Sequence, residues 1–270
     1  MKANDVIIYS DMDGTLLTDW SMGPVVPEPN LRLIRELVER GGSFSVATGR
    51  QPPDALGFFP GVPLAPLVCA NGAVVYDPEA GQVLRKILLP QPYKRECADY
   101  FLARPDLWIV AADHREIVQV SSGDPARDSL LNDMHRRLIT VEEFLTGEYV
   151  KVVYVLPEGG DMEGLKAEVA QLPSAGLVTG AQSGPWYLEM VERSVNKAEG
   201  IRYARRAAGL EGRTLVCIGD YFNDWTMLQS ADLAACPGDS HREIQDICQI
   251  VTCGHNEGAV ADLIQRLRLW

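Results

Sequence analysis

Positive charge is scarce in this chain of 270 residues. Its 25 Lys and Arg residues stand against 37 Asp and Glu residues, which gives a formal net charge of −12 at pH 7. Because nucleic acids and anionic membranes repel an acidic surface, neither is expected as a partner. An anionic substrate would be repelled as well, unless a bound cation reverses the local field.

The spacings typical of zinc sites and disulfide frameworks are also missing. None of the six cysteines forms a CxxC pair, and the four histidines show neither HxxxH nor HExxH spacing. Apolar runs such as LVCA and LVCIGD hold cysteines, which indicates buried, reduced thiols. Since the chain shows no signal-like start and no apolar run of membrane-spanning length, a cytoplasmic protein is expected.

Strand and helix patterns alternate near both ends of the chain. Residues 6–10 are apolar and β-branched and predict a strand, and the apolar positions of residues 30–40 recur at helical spacing. Further predicted elements are strands at 43–47, 67–70, TLVCIGD, LAAC and QIVT, and a last helix over about 258–268. This alternation predicts an α/β fold with a Rossmann-like parallel sheet covered by helices on both faces.

The middle of the chain has a different pattern. Adjacent strand-like runs such as LWIVAA and EIVQV are separated by short polar turns, which indicates hairpins of an antiparallel sheet. Clusters of Pro and Gly in YDPEAG and QSGPW mark the linkers on either side. We therefore predict an inserted α+β domain over residues 85–187, with residues 1–84 and 188–270 forming the parallel core.

Polar side chains follow several of the predicted core strands. In an open parallel sheet, ligands bind beyond the carboxyl ends of the strands, so these side chains are expected to converge on one crevice. An ordinary turn would explain any one of them alone, and their combination favours a site. The residues concerned are Asp11, Asp13, Thr48, Arg50, Asn71, Asp220 and Asp224.

Converging carboxylates predict a metal ion. Asp11, Asp220 and Asp224 would raise one another's pKa unless a cation lay between them. Their hard oxygen atoms suit Mg²⁺, which prefers six oxygen ligands. Because such an ion could also hold a phosphate oxygen in an otherwise acidic protein, phosphoryl transfer is the predicted chemistry.

Four motifs, together and in this order, resemble those of the haloacid dehalogenase-like phosphatase superfamily. They are DMDGTLL, ATGR, the lysine of SVNKAEGI, and GDYFND, with a large insertion between the second and the third. The NGA that follows TGR resembles the Cof-like branch, whose sugar-phosphatase-like members carry a large α/β cap. The resemblance implies Mg²⁺-dependent hydrolysis of a small phosphorylated metabolite, a sugar phosphate or similar, through an aspartyl-phosphate.

The resemblance also implies a role for each matched residue. Asp11 would be the nucleophile, and Asp13 the general acid and base. Thr48 would donate its hydroxyl to a phosphoryl oxygen, and Lys197 would neutralise charge on the transferring group. The metal ligands would be Asp11, Asp13 through its main-chain carbonyl, Asp220 and Asp224.

Further residues are candidates for contacts with the substrate. Gly14 would let the backbone bend beside the phosphate, and Arg50 could bind the phosphate at two points or lie on the surface. Asn71 could bind a hydroxyl, although Asn-Gly is also a common hairpin turn. Asn223 would orient Asp220 or contact the phosphate. His114, on a hairpin of the inserted domain, could contact a polar group of the substrate.

Two other functions remain open at this stage. A phosphotransferase or phosphomutase of the same fold would pass the phosphoryl group to another hydroxyl, and a non-enzymatic protein would only bind the phosphometabolite. The complete set of acidic residues and the lysine argues against the binding protein. A monomer or a homodimer is expected, and Asp239 is predicted to cap a helix that begins near Ser240.

Overall fold

The structure is a computed structural model that describes residues 2–131 and 136–269. Residue contacts divide the chain into two units, which we call the core unit (Met1–Arg85 with Asn196–Trp270) and the insert unit (Lys86–Val195). The strands are β1 Val6–Ser10, β2 Ser43–Val46, β3 Leu67–Cys69, β4 Val74–Asp77, β5 Gln82–Lys86, β6 Trp108–Ala112, β7 Ile117–Val120, β8 Leu138–Ile139, β9 Lys151–Val155, β10 Val178–Gly184, β11 Tyr187–Glu192, β12 Thr214–Ile218, β13 Leu233–Cys236 and β14 Ile250–Val251. The α-helices are α1 Glu28–Glu39, α2 Pro52–Leu56, α3 Gln91–Ala103, α4 Pro125–Ser129, α5 Val141–Thr146, α6 Met162–Val169, α7 Lys197–Ala207, α8 Trp225–Ser230, α9 Arg242–Ile247 and α10 Ala259–Leu267.

A five-stranded parallel sheet forms the centre of the core unit, with the strand order β14-β13-β12-β1-β2. Every residue of β1 is buried, as a continuous apolar strand covered on both faces should be. Strands β1 and β12 run side by side in the same direction, from Val6 beside Thr214 to Ser10 beside Ile218. The predicted parallel α/β core is confirmed, and its two central strands end at the same edge.

Strand β3 differs from the expected arrangement. It pairs antiparallel with β4 in a separate three-stranded sheet, and it meets the β2 segment through one parallel bridge between Ala47 and Val68. A hairpin turn joins β3 to β4, in which Asn71 and Gly72 have φ of 56° and 106°. A Cβ atom on Gly72 would lie 2.2 Å from the carbonyl oxygen of Asn196, so glycine permits this close approach to the start of α7.

The insert unit contains a six-stranded sheet with the order β10-β11-β9-β6-β7-β8. Its strand pairs are antiparallel except for β7 and β8, which confirms the predicted antiparallel insertion. The hairpin predicted between LWIVAA and EIVQV is β6–β7. The predicted insertion covers residues 85–187, whereas residue contacts give the insert unit as Lys86–Val195. Strand β11 belongs to this unit because it pairs with β9 from Tyr187 to Val191. None of the helices in the described ranges is long and apolar enough to cross a membrane.

Candidate active site

Three carboxylates come together at the carboxyl ends of β1 and β12. Asp11 follows β1 directly, and its main-chain nitrogen donates to the carbonyl oxygen of Ile218 at 2.9 Å. Asp220 and Asp224 lie on the loop after β12. The Oδ2 atom of Asp224 accepts hydrogen bonds from the main-chain nitrogens of Asp220 (3.0 Å) and Tyr221 (3.2 Å), which folds the loop over the end of the sheet. One carboxylate oxygen from each Asp lies within 4.8 Å of the other two.

Lys197 lies fully buried between two of these carboxylates. Its Nζ is 2.5 Å from Oδ1 of Asp11 and 2.6 Å from Oδ1 of Asp224. Lys197 is the first residue of α7, and the N-cap Asn196 accepts from the main-chain nitrogen of Glu199 at 2.9 Å. A buried lysine needs such partners, because an unpaired ammonium group without water is strongly destabilised. The contacts exclude a solvated lysine at this position.

Negative charge exceeds positive charge in this cluster. Burial, although opposed by Lys197, raises the pKa of Asp11 well above its usual value, and the charges of Asp224 and Asp220 raise it further. Burial and the charge of Asp224 raise the pKa of Asp220 to about 6. The pKa of Lys197 is raised despite burial, because two carboxylates surround it. Three carboxylates with one ammonium group therefore fit a further cation, and their oxygen donors suit Mg²⁺.

Gly14 and Thr15 hold the carboxylate of Asp220 from the β1 side. Gly14 has φ of +79°, and a Cβ atom there would lie 2.6 Å from Oδ2 of Asp220. Thr15 donates from Oγ1 to Oδ1 of Asp220 at 2.7 Å. The bend predicted at Gly14 thus makes room for a carboxylate. Thr15 is not among the predicted site residues, although it stands within the motif DMDGTLL.

Asp13 lies outside the three-carboxylate cluster and pairs with Arg50. Two guanidinium nitrogens of Arg50, Nη2 and Nε, donate to its two oxygens at 2.6 and 2.9 Å, and Nη1 of Arg50 contacts Asp54 at 2.9 Å. The guanidinium carbon lies 5.0 Å from the ring centroids of both Trp20 and Phe58. The sequence predicts that Arg50 contacts the substrate or lies on the surface. In the structure its side chain is only 9% exposed and orients the carboxylate of Asp13. The Asp13 side chain remains 41% exposed.

The other predicted residues of the core unit lie at the ends of neighbouring elements. Thr48 is buried, and its Oγ1 accepts from the main-chain nitrogen of Arg50 at 3.2 Å. The main-chain nitrogen of Asn71 donates to the carbonyl oxygen of Thr48 at 2.9 Å. Asn223 donates through Nδ2 to Oδ1 of Asn71 at 3.5 Å, so these two amides contact each other. Their roles towards a substrate remain predictions.

His114 lies in the insert unit, at the turn between β6 and β7. Its Nε2 accepts from Nε of Arg115 at 3.1 Å, and burial lowers the pKa of its ring. Its Nδ1 is buried without a hydrogen-bond partner among the described residues. A contact between His114 and the substrate stays a prediction.

Asp239 does not cap the helix that follows it, contrary to expectation. Helix α9 is capped by His241, whereas Asp239 accepts from a ring nitrogen of His255 at 2.7 Å. The other ring nitrogen of His255 lies 3.2 Å from Oδ1 of Asp19, and Asn256 donates to the second oxygen of Asp19 at 2.7 Å. Asp239 thus joins the loop after β13 to the loop after β14, and His255 and Asn256 join the latter to the loop after β1.

Fold and site together define an α/β enzyme with an acidic, lysine-paired centre at the carboxyl ends of parallel strands. The sequence model of the family described as haloacid dehalogenase-like hydrolase matches residues 8–264. The chain belongs to this family, which confirms the resemblance drawn from the motifs.

Relatives of known name extend over nearly the whole chain. The phosphatase YitU of Bacillus subtilis, named for 5-amino-6-(5-phospho-D-ribitylamino)uracil, is 23% identical over 98% of this chain and 98% of its own length. The Escherichia coli phosphatase YbjI, named for the same compound, is 22% identical over 97% and 95%. Among solved structures, the phosphatase-superfamily member BT1666 of Bacteroides thetaiotaomicron has a TM-score of 0.80 and 18% identity, covering 99% of this chain and 97% of its own.

Proposed function

We propose that this protein is a Mg²⁺-dependent phosphatase that hydrolyses a small phosphorylated metabolite through an aspartyl-phosphate. The observation that carries the proposal is the placement of Asp11, which is buried at the end of β1 and paired with Lys197 beside two further carboxylates. Family membership supports the hydrolase class, and the named relatives support a phosphate ester as substrate.

Asp11 would attack phosphorus, so that an oxygen–phosphorus bond forms as the bond to the leaving oxygen breaks. Asp13 would give its proton to the leaving oxygen and then take a proton from the water that attacks the aspartyl-phosphate. Two hydrogen bonds from Arg50 would keep its carboxylate in one orientation through both steps. The exposure of Asp13 fits this role, because a general acid must reach a leaving group that enters from solvent.

Lys197 would hold Asp11 in place and balance charge on the transferring group, and the hydroxyl of Thr48 would donate to a phosphoryl oxygen. Mg²⁺ would neutralise charge on the phosphoryl oxygens. The residues that would hold it are Asp11, Asp220, Asp224 and the main-chain carbonyl of Asp13.

The names of YitU and YbjI describe a phosphorylated polyol chain attached to a uracil ring. They support a sugar phosphate or a similar phosphorylated polyol as the substrate class. At 22–23% identity the particular compound does not carry over to this chain.

The test is a screen of phosphorylated metabolites for release of inorganic phosphate, with Mg²⁺ and with EDTA. Asp11→Asn is the test variant, and Asp246→Asn is the matched control, because Asp246 is an exposed carboxylate paired only with Arg242 in the described structure. We expect activity that needs metal, survives in the control and is lost in Asp11→Asn. Activity of Asp11→Asn equal to that of the wild type would exclude Asp11 as the nucleophile. Consumption of the substrate only with an added acceptor, which takes the phosphoryl group without release of inorganic phosphate, would show a phosphotransferase instead. A strict need for a bisphosphate activator would show a mutase.

A further inference from the structure

A cavity lies on the core unit away from the carboxylate cluster. It measures about 300 Å³ and is lined by Arg85, Arg202, Tyr203 and Arg206. None of the acidic residues of the candidate active site lines it. Its volume is at the lower end of the range for small-molecule sites, roughly 300–1,000 Å³.

The position of the arginines on α7 separates this cavity from Lys197. Arg202 and Arg206 follow Lys197 by five and nine residues on the same helix. With a rise of about 1.5 Å per residue, they lie about 8 and 14 Å further along the helix axis. Being four residues apart, they project from one face of the helix. The cavity is therefore a separate feature of α7.

Arg85 is held in place without a carboxylate partner among the described residues. Its guanidinium carbon lies 5.3 Å from the ring centroid of Tyr203, and its Nη1 donates to the carbonyl oxygen of Glu199 at 3.4 Å. The hydroxyl of Tyr203 donates to the carbonyl oxygen of Leu84 at 3.0 Å, which fixes the ring under the guanidinium group. Arg85 is thus an oriented cation. The nearby carboxylate of Glu199 pairs with Arg202, and its pKa is lowered by the hydrogen bond from Arg202 and, to a lesser extent, by the charge of Arg85.

The remaining charges leave an excess of positive charge at the cavity. Arg202 pairs with Glu199 and Arg206 pairs with Glu211, and all four side chains are 40–65% exposed. Such surface pairs are weak, so an incoming anion can compete for either guanidinium group. Arg205, on the same helix, donates to the main-chain carbonyls of Glu211 and Arg213 and does not line the cavity.

We propose that this cavity is a second binding site, for a small anion that carries phosphoryl groups. Three guanidinium groups around one concavity offer planar, two-point hydrogen bonding to phosphoryl oxygens. In a chain with net charge −12, such a cluster would concentrate anions locally against the general repulsion. The site does not depend on the carboxylate cluster, so it stands or falls separately from the proposed phosphatase activity.

Inorganic pyrophosphate is the probe, titrated into the full-length protein in EDTA at low salt while the arginine Nε–H resonances are recorded. We expect saturable shifts with a dissociation constant of about 1 mM or below, and weakening of about tenfold in Arg206→Ala and in Arg85→Ala. Arg85→Lys should recover part of the affinity, since it restores the charge without the two-point geometry.

Arg242→Ala is the matched control, because Arg242 is an exposed core-unit arginine that pairs with Asp246 and does not line the cavity. It should bind the probe as the wild type does. The absence of saturable shifts in the wild type would overturn the proposal. Equal affinity of the wild type, Arg85→Ala and Arg206→Ala would overturn it as well, because the probe would then occupy another site such as the carboxylate cluster.

Discussion

Removal of the buried ammonium group should destabilise the core unit strongly. In Lys197→Met a side chain of similar length remains, but Asp11 and Asp224 lose a cation that lies 2.5 and 2.6 Å from them. Breaking a buried ion pair on one side costs about 3–5 kcal/mol, because the remaining charge has neither water nor partner. Because two carboxylates lose their partner here, we expect the free energy of unfolding in EDTA to fall by an amount in the upper part of that range. Added Mg²⁺ should restore part of the loss, since it supplies positive charge to the same carboxylates.

The assay is urea unfolding followed by tryptophan fluorescence, with and without Mg²⁺. Lys166→Met is the matched control, because Lys166 is more exposed and pairs with Glu163 at the surface. Such a pair contributes about 0–1 kcal/mol, so the two variants should differ by at least about 2 kcal/mol. If Lys197→Met lowers the free energy of unfolding in EDTA by less than about 1 kcal/mol, the claim that Lys197 neutralises the buried carboxylates of Asp11 and Asp224 is refuted.

Arg50→Ala should lower kcat by about 10–100-fold with little change in KM, because Asp13 loses the two hydrogen bonds that orient it. Steady-state kinetics measure this effect, with Arg50→Lys as the conservative control. An unchanged kcat in Arg50→Ala would exclude the positioning role of Arg50. His255 should make unfolding pH-dependent. Although burial opposes it, hydrogen bonds and charges from Asp239 and Asp19 raise the pKa of His255 above 6.5. The stabilisation is complete below pH about 6.5 and is lost as pH rises through the folded pKa. Between pH 6 and 8, the free energy of unfolding in urea should therefore decline more steeply with pH for the wild type than for His255→Gln. Parallel pH dependences of the two proteins would contradict this.

Local patterns in the sequence predict most of the core elements. The apolar run of residues 6–10 is β1, and the helical spacing of residues 30–40 corresponds to α1 at Glu28–Glu39. Asp11 and Asp220 converge because parallel strands end at one edge of a sheet, which is a general rule that needs no knowledge of this chain. Prediction succeeds where the deciding interactions are periodic or follow from strand direction.

Contacts between distant residues carry no such pattern. Arg50 and Asp13 are 37 residues apart, and nothing in ATGR distinguishes a clamp on a carboxylate from a surface arginine. The local rule for helix caps predicts a cap at Asp239, but its side chain instead contacts the distant residue His255. Strand β3 shows the reverse case, because its local antiparallel pairing with β4 outweighs its single bridge to the more distant β2 segment.

Binding of one divalent ion by Asp11, Asp220 and Asp224 is tested most directly by anomalous diffraction from crystals grown with Mn²⁺ in place of Mg²⁺. A single strong peak is expected in contact with carboxylate oxygens of Asp11, Asp220 and Asp224 and with the main-chain carbonyl oxygen of Asp13. If Mn²⁺ supports phosphate release but the anomalous peak lies elsewhere, or is absent from crystals of the active protein, the carboxylate cluster does not hold the catalytic metal.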